Sequence, residues 1–344
     1  MIEKKSICVP ISALAVAVTM TIGAILLPST GALADSPTIG GSTGSSSAEP
    51  AGATIRVATA AQLTAALGQA QPGDVITLAD GRYVGSFSTT NAGTAAAPIT
   101  LIGSRNAILT TGSTRKSYGF HVIDGYWNLS GFTISTAQKG IVLDDADNSI
   151  IDGVEVSNIG QEGIHVRHNS SHVIVRNNFV HDTGQVSKGF GEGIYLGSSK
   201  SNWDSVMGSS TIPDQSDYAI VQNNTITNTA AEGIDVKEGT TGGQLLGNTF
   251  VNDAWSGKNS ADSWVDVKGN GYRISGNTGS KTINDGFQVH QLLKGWGQNN
   301  TFDNNTSTGD IPGYLVRIEF GAIGNVVKCQ PSTAKLGLSN ITCS

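Results

Sequence analysis

The sequence predicts an all-β solenoid, a single-domain right-handed parallel β-helix, on three observations. A column of turn pairs recurs down the chain: Ser130-Gly131, Asp152-Gly153, Asn177-Asn178, Asn223-Asn224, Gly247-Asn248, Gly276-Asn277, Asn299-Asn300 and Gly324-Asn325. A second column, Gly-apolar-x-apolar, runs upstream of these turns, as in Gly163-Ile-His-Val, Gly193-Ile-Tyr-Leu, Gly233-Ile-Asp-Val and Gly286-Phe-Gln-Val. The composition fits the same fold: 44 Gly in 344 residues, 14% charged and 6% aromatic, with 38% hydrophobic to build a core. A coiled coil would need about half Ala, Glu, Lys, Leu and Arg, and collagen a strict Gly period.

The turn pairs are spaced by 22, 25, 46, 24, 29, 23 and 25 residues. The second member of each pair is Gly or Asn, residues that tolerate a left-handed backbone. Apolar residues one and three places after the column Gly have the period of a strand with one buried face. Units of this length with two or three strands each stack into a β-helix. A leucine-rich horseshoe lacks its Leu pattern here, and propeller blades of about 40 residues do not fit. Asn178, Asn224, Asn248, Asn277, Asn300 and Asn325 are expected to stack in one corner, a structural role with no catalytic part.

The elements follow in order. Lys4-Lys5, an apolar run from Ala13 to Leu27 and Ala32-Leu33-Ala34 read as a secretory signal over residues 1–34. Residues 35–54 form a Ser/Gly-rich leader that cannot offset its ordering entropy. The solenoid domain is expected over residues 55–344. It begins with a cap: a strand at Ile55-Arg56-Val57, an amphipathic helix through Leu63, Leu67 and Ala70, and strands at Val75–Leu78 and Ile99–Ile102. No further apolar run is long enough to span a bilayer. Removing the signal leaves Cys329 and Cys343, which are expected to form a disulfide at the C-terminal end of an extracellular protein. A formal net charge of −6 argues against a nucleic-acid partner. A monomer is expected.

The passage AAQLTAALGQAQPGDVITLADGRYVG, followed by API and TLIG, resembles the N-terminal cap of the β-helical polysaccharide lyases, in particular the chondroitinase B and alginate lyase family. The chain as a whole is similar to secreted right-handed β-helix proteins of the pectate-lyase superfamily. The resemblance implies action on an acidic, uronic-acid-containing polysaccharide by β-elimination.

Side chains alternate faces along a strand, so two rows are expected to point outward. One reads His121, Val142, His165, Tyr195, Asp235, Asp266, Gln288, Leu315; the other Ile123, Asp144, Arg167, Gly197, Lys237, Lys268, His290, Arg317. A third row, Glu162, Glu192, Glu232, Ser263 and Asp285, precedes the column Gly. Adjacent strands lie about 4.8 Å apart, so Asp235, Lys237, Asp266, Lys268, Gln288 and His290 share one patch. Eliminating a uronide requires neutralising its carboxylate, removing the adjacent proton and expelling the glycosidic oxygen. Lys268 is the first candidate base, because Lys237 and His290 beside it would lower its pKa. Lys237 is the reserve, with Tyr195, His290 and Arg317 also in the catalytic set. His165, Arg167 and Gln288 extend the binding groove. Glu232, Asp235 and Asp266 are hard oxygen ligands suited to Ca²⁺. Glu232-Gly233-Ile234-Asp235 also resembles the Asp-Asp-Gly-x-Asp calcium motif of one pectate lyase family, with Ala231 and Glu232 in place of its leading Asp residues. That resemblance implies a base after the motif, which Lys268 supplies. Arg167-His168 stands too early in the chain to serve as the Arg-His pair of the chondroitinase B family.

Two excursions, Gly197 to Asp217 with Trp203 and Asp253 to Ser263 with Trp255, are expected on one side of the coils, offering indoles to sugar rings. Two other function classes stand beside the lyase. A glycoside hydrolase would use paired carboxylates such as Asp144 and Asp145, or Asp235 and Asp266. A non-catalytic glycan-binding or adhesive solenoid is compatible with the same fold.

Overall fold

The computed structural model describes residues 52–309 and 311–344. The expected signal and nearly all of the leader, with Cys8, lie outside the described residues. Each coil is a circuit of short parallel strands, and the strands stack into three sheets of eleven, nine and nine. The eleven-stranded sheet runs from Thr54–Val57 to Val326–Val327, so the first strand begins one residue before the expected domain boundary. One nine-stranded sheet runs from Gly81–Val84 to Thr306–Ser307. The other carries the chemistry and is called the cleft sheet: Phe87–Ser88, Tyr118–Val122, Lys139–Asp144, Ile164–Arg167, Ile194–Leu196, Ile234–Val236, Val265–Val267, Phe287–Val289 and Val316–Ile318.

The cap helix, Ala60–Gln69, starts where the Thr59 hydroxyl accepts from the Gln62 backbone N–H at 3.2 Å. It buries Leu63, Ala66 and Leu67 over the end of the first coils. Inside the coils, the apolar positions form one continuous core in which Ile164, Val166, Ile194, Leu196, Ile234 and Val236 are fully buried. The Gly column permits close coil-to-coil approach: a Cβ on Gly163 or Gly193 would lie 2.6 Å from the next coil's carbonyl oxygen. Trp264 interrupts that column. Its indole fills the space that Gly279 leaves empty on the neighbouring strand, where a Cβ would come within 2.5 Å of the ring.

The Asn ladder is real but its membership differs from expectation. Asn178, Asn224, Asn248, Asn277 and Asn305 form it. Each Oδ1 from Asn224 onward accepts from both the backbone N–H and the Nδ2 of the Asn one coil before, at 2.9–3.0 Å. Each Nδ2 also donates to a backbone carbonyl, for example that of Val175 from Asn224. Asn300 and Asn325 pair with each other at a different corner. They precede strands Thr301–Asp303 and Val326–Val327, whereas every ladder Asn follows a strand of that sheet. The residue in the left-handed region is the one before each ladder Asn: Asn177, Asn223, Gly247, Gly276 and Asn304. Gly131 and Gly153 occupy that same place, so the first two turn pairs are offset by one residue from the later ones.

At the C-terminal end, Leu315 and Val316 donate backbone N–H bonds to Gly337 and Leu338, and Asn340 pairs both ways with the backbone of Ile318. The Cys329–Cys343 disulfide is formed and ties this tail to the last coil. No helix among the described residues is long and apolar enough to cross a membrane.

Candidate active site

Strand pairing sets the site's lateral order. Tyr195 lies beside Asp235, Asp235 beside Asp266, Asp266 beside Gln288 and Gln288 beside Arg317. The last pairing corrects the expected register by two residues. Val316 pairs with Phe287, Arg317 takes the first outward row and Leu315 is buried in the Gly column. Aligning that coil on Gly313 misplaced it, because its column position is filled by Leu315.

The outward rows do not face open solvent. Asp235, Lys237, Asp266 and Lys268 are only 2–8% exposed. The excursions explain this burial. That at 197–217 leaves the sheet after Ile194–Leu196, whereas those at 183–191 and 253–263 precede cleft-sheet strands. They therefore rise from opposite edges of the sheet, not from one side, and turn its face into a cleft of about 570 Å³. Ser199, Ser201 and Asn202 line it from one excursion, Phe190, Asn259 and Ser260 from the others, and Leu292 from a further loop. Asn259 Nδ2 donates to the Gly189 carbonyl at 3.2 Å, joining two of these walls. None of these lining residues stood out in the sequence, since they occupy irregular segments with no repeat.

At the centre of the cleft, Asp235 bridges two ammonium groups. Lys237 Nζ is 2.5 Å from its Oδ2 and Lys268 Nζ is 2.8 Å from its Oδ1. Lys268 is also 2.5 Å from Asp266 Oδ2. Burial alone would lower the pKa of both lysines, yet the carboxylates outweigh it and hold both well above the ordinary lysine value. This overturns the expectation that Lys237 and His290 depress Lys268, because two carboxylates stand between the cations. Burial would raise Asp235, but Lys237 and Lys268 hold it below the usual carboxylate range. Lys237 Nζ also lies 4.9 Å from the centroid of the Tyr195 ring. Burial, Asp235 and Glu192 push the Tyr195 phenol well up, so it is protonated.

A carboxyl cluster adjoins this network. Glu192, Glu232 and Asp235 each present an oxygen within 4.8 Å of the others, a spacing able to hold a metal ion. Glu192 joins it in place of the expected Asp266, whose Oδ2 faces Lys268. Glu192 Oε2 is buried without a hydrogen-bond partner. Burial first, then Glu162 and Asp235, raise Glu192 well above its usual value, while burial and Asp235 push Glu232 up to about 8.

The remaining expected site residues fall elsewhere. His290 lines the cleft, 2.9 Å from Gln288 Oε1 and 3.7 Å from Asp266. Gln288 is buried behind it, donating to Asp262 and Asp285. His165 is buried with Nε2 2.9 Å from the Gly197 carbonyl and its ring edge-on to Tyr195, so it supports Tyr195 and does not contact the cleft. Arg167 lines a separate cleft of about 460 Å³ with Tyr118, Asp144, Asp145 and His168, where it is paired doubly to Asp144. Arg317 sits on the last coil beside Glu319. Trp203 is buried and donates to the Ser198 carbonyl, sealing its own excursion. Trp255 is half-exposed but borders a different hollow with Lys281 and Ile283. Neither indole serves the cleft.

The architecture and this covered sheet define a right-handed parallel β-helix protein of the pectate-lyase superfamily, and residues 106–257 match the family described as right handed beta helix region. The crystal structure of alginate lyase from Paenibacillus sp. str. FPU-7 is 39% identical, with a TM-score of 0.77, over 83% of this chain and 97% of that one; the chain belongs to its family. Pectate lyase Pel9A is 14% identical at a TM-score of 0.59, over 85% of this chain and 79% of its own. The GH136 lacto-N-biosidase from Eubacterium ramulus is 11% identical at 0.59, over 81% and 60%. These two share the fold alone. No curated relative matches the chain by sequence.

Proposed function

We propose that the chain is a secreted polysaccharide lyase that cleaves a uronic-acid polymer, with alginate the first substrate to test, by β-elimination in the Lys237–Tyr195 cleft. The observation that carries this reading is the pair of buried ammonium groups on Asp235, one of them against the Tyr195 phenol. Family membership beside an alginate lyase supports the polymer, and the disulfide supports an oxidising exterior.

Lys237 is the better base. Lys268 is clamped by two carboxylates that hold its proton and balance its charge, so the uronate carboxylate is met by a hydrogen bond from Glu232, whose pKa is pushed up to about 8, with Glu192 raised in the same direction beside it. Lys237 has one carboxylate partner and adjoins the phenol. Once Lys237 sheds its resting proton, the amine takes the proton from C5. The C4–C5 double bond forms as the C4–O4 bond breaks, and the Tyr195 phenol protonates the departing oxygen. The proton then passes from Lys237 back to the phenolate, restoring both groups. Turnover should therefore rise with pH as the Lys237 ammonium gives up its proton, and that rise should be opposed above about pH 8, where Glu232 ionises.

A divalent ion fits this cluster poorly. Both Asp235 oxygens already face ammonium groups within 2.8 Å, and raised pKa values equip Glu192 and Glu232 to hold protons. We derive no step through calcium, and chelation should leave turnover unchanged. The hydrolase reading is weaker on similar grounds. Asp235 and Asp266 share one ammonium, Asp235 is held below the usual carboxylate range, and Asp144 is held well below it by His121 and Arg167 against the effect of burial, so neither Asp235 nor Asp144 is a proton donor.

Lys237→Ala tests the assignment. It should retain the fold and lose about 10²- to 10⁴-fold in turnover, read as unsaturated-uronide absorbance with alginate. Full activity in Lys237→Ala would overturn it.

A further inference from the structure

The described residues include one fully exposed aromatic side chain that the site above does not use: Phe320, at 102% relative exposure, immediately after Glu319. We propose that Phe320 is a distal sugar-binding platform, extending the cleft over the last coil and recognising the polymer by stacking on the apolar face of a pyranose ring. The proposal rests on the reading of the cleft as a polyuronate site and adds to it a determinant of chain-length preference.

Position comes first. The coil of Phe320 is three strands along the cleft sheet from that of Lys237, by way of Val265–Val267, Phe287–Val289 and Val316–Ile318. At about 4.8 Å per strand this is ~14 Å down the direction in which the functional rows run. A linear polymer laid along those rows passes His290 and Leu292 before it reaches the last coil. Leu292 already lines the cleft and is itself exposed. The turn carrying Phe320 abuts the Leu292 loop, since a Cβ on Gly321 would lie 2.9 Å from Gln291 Oε1. Leu292 at the cleft mouth, Phe320 and Ile323 are each exposed.

The chain's own C-terminus does not cover this surface. The tail pairs along Leu315 to Ile318 as far as Asn340 and then, through Ser344, with Val327 and Cys329, and it leaves Phe320 fully exposed. Arg317 on the same coil supplies a half-buried guanidinium near the path of a uronate carboxylate, held by Glu319 at 2.5 Å. An exposed aromatic face suits the apolar C–H face of a sugar ring.

The test compares KM for alginate polymer and for a trisaccharide, which with its scissile bond at Lys237 has at most two rings on the Phe320 side and stops short of the last coil. In the wild type the polymer should bind more tightly. In Phe320→Ala that advantage should shrink about two- to tenfold, the size of one lost aromatic contact, and Phe320→Trp should restore it. Truncating a fully exposed ring leaves the melting temperature unchanged, so misfolding does not confuse the result. An unaltered polymer-to-trisaccharide ratio in Phe320→Ala, or equal losses on both substrates, would overturn the proposal while leaving the cleft assignment standing. A wild type that neither retains nor cleaves alginate would remove the cleft assignment itself, and this extension with it.

Discussion

The Asn ladder and the cleft row are built alike and end differently. Both are stacks of buried polar side chains, one per coil, brought into register by the same strand pairing. In the ladder, Asn224, Asn248 and Asn277 accept two hydrogen bonds at Oδ1 and donate two from Nδ2, so nothing is left over. In the cleft, two lysines and two aspartates neutralise one another, yet Glu192 Oε2 and Asp266 Oδ1 have no hydrogen-bond partner. Neutral amides with complementary ends can close a stack on themselves. The charged groups here do not, and buried oxygens are left without partners.

This contrast can be broken first at Lys268. Lys268→Ala leaves Asp266 without a close cation and Asp235 with one, and removing half of a buried ion pair costs about 3–5 kcal/mol. Urea unfolding should show that loss, and an unchanged midpoint would mean the carboxylates are hydrated. Asn224→Ala should come next. It strips the Asn178 backbone N–H of its partner and the Asn178 Nδ2 of one of its two, at about 1–3 kcal/mol, and should lower the unfolding midpoint while sparing KM.

A pH dependence belongs to the same comparison. Glu232 is raised from an ordinary 4.5 to about 8, so the native state binds more protons than the unfolded chain. Its stabilising contribution is complete below about pH 4.5 and declines as pH rises through about 8. The melting temperature should fall across that window, and Glu232→Gln should flatten the fall. An identical slope in both proteins would place the titration elsewhere.

The repeating features could be read without coordinates. Spacing alone located Asn178 to Asn277, the inward apolar positions and the adjacency of Asp235, Lys237, Asp266 and Lys268, because each follows from one residue type recurring in one register. The error at Asn300 and Asn325 arose from two Asn pairs standing five residues apart, 299–300 and 304–305, either of which satisfies the period. Arg317 was displaced because Leu315 stands where other coils have Gly. The burial of the outward rows could not be read at all. It comes from the excursions, whose paths depend on contacts such as Asn259 with Gly189 and the Asp214 carboxylate with the backbone N–H groups of His168 and Asn169. The lysine pKa error follows from the same blindness: sequence rows show that cations are neighbours but not that Asp235 and Asp266 reach between them.

The most direct test of the central claim is to incubate the purified wild-type chain with alginate and record unsaturated-uronide absorbance and new reducing ends in the same sample. Elimination in the cleft predicts that the two rise together in equal number. Reducing ends without absorbance would contradict the account in favour of hydrolysis, and neither signal, with the polymer still bound, would make the protein a binder.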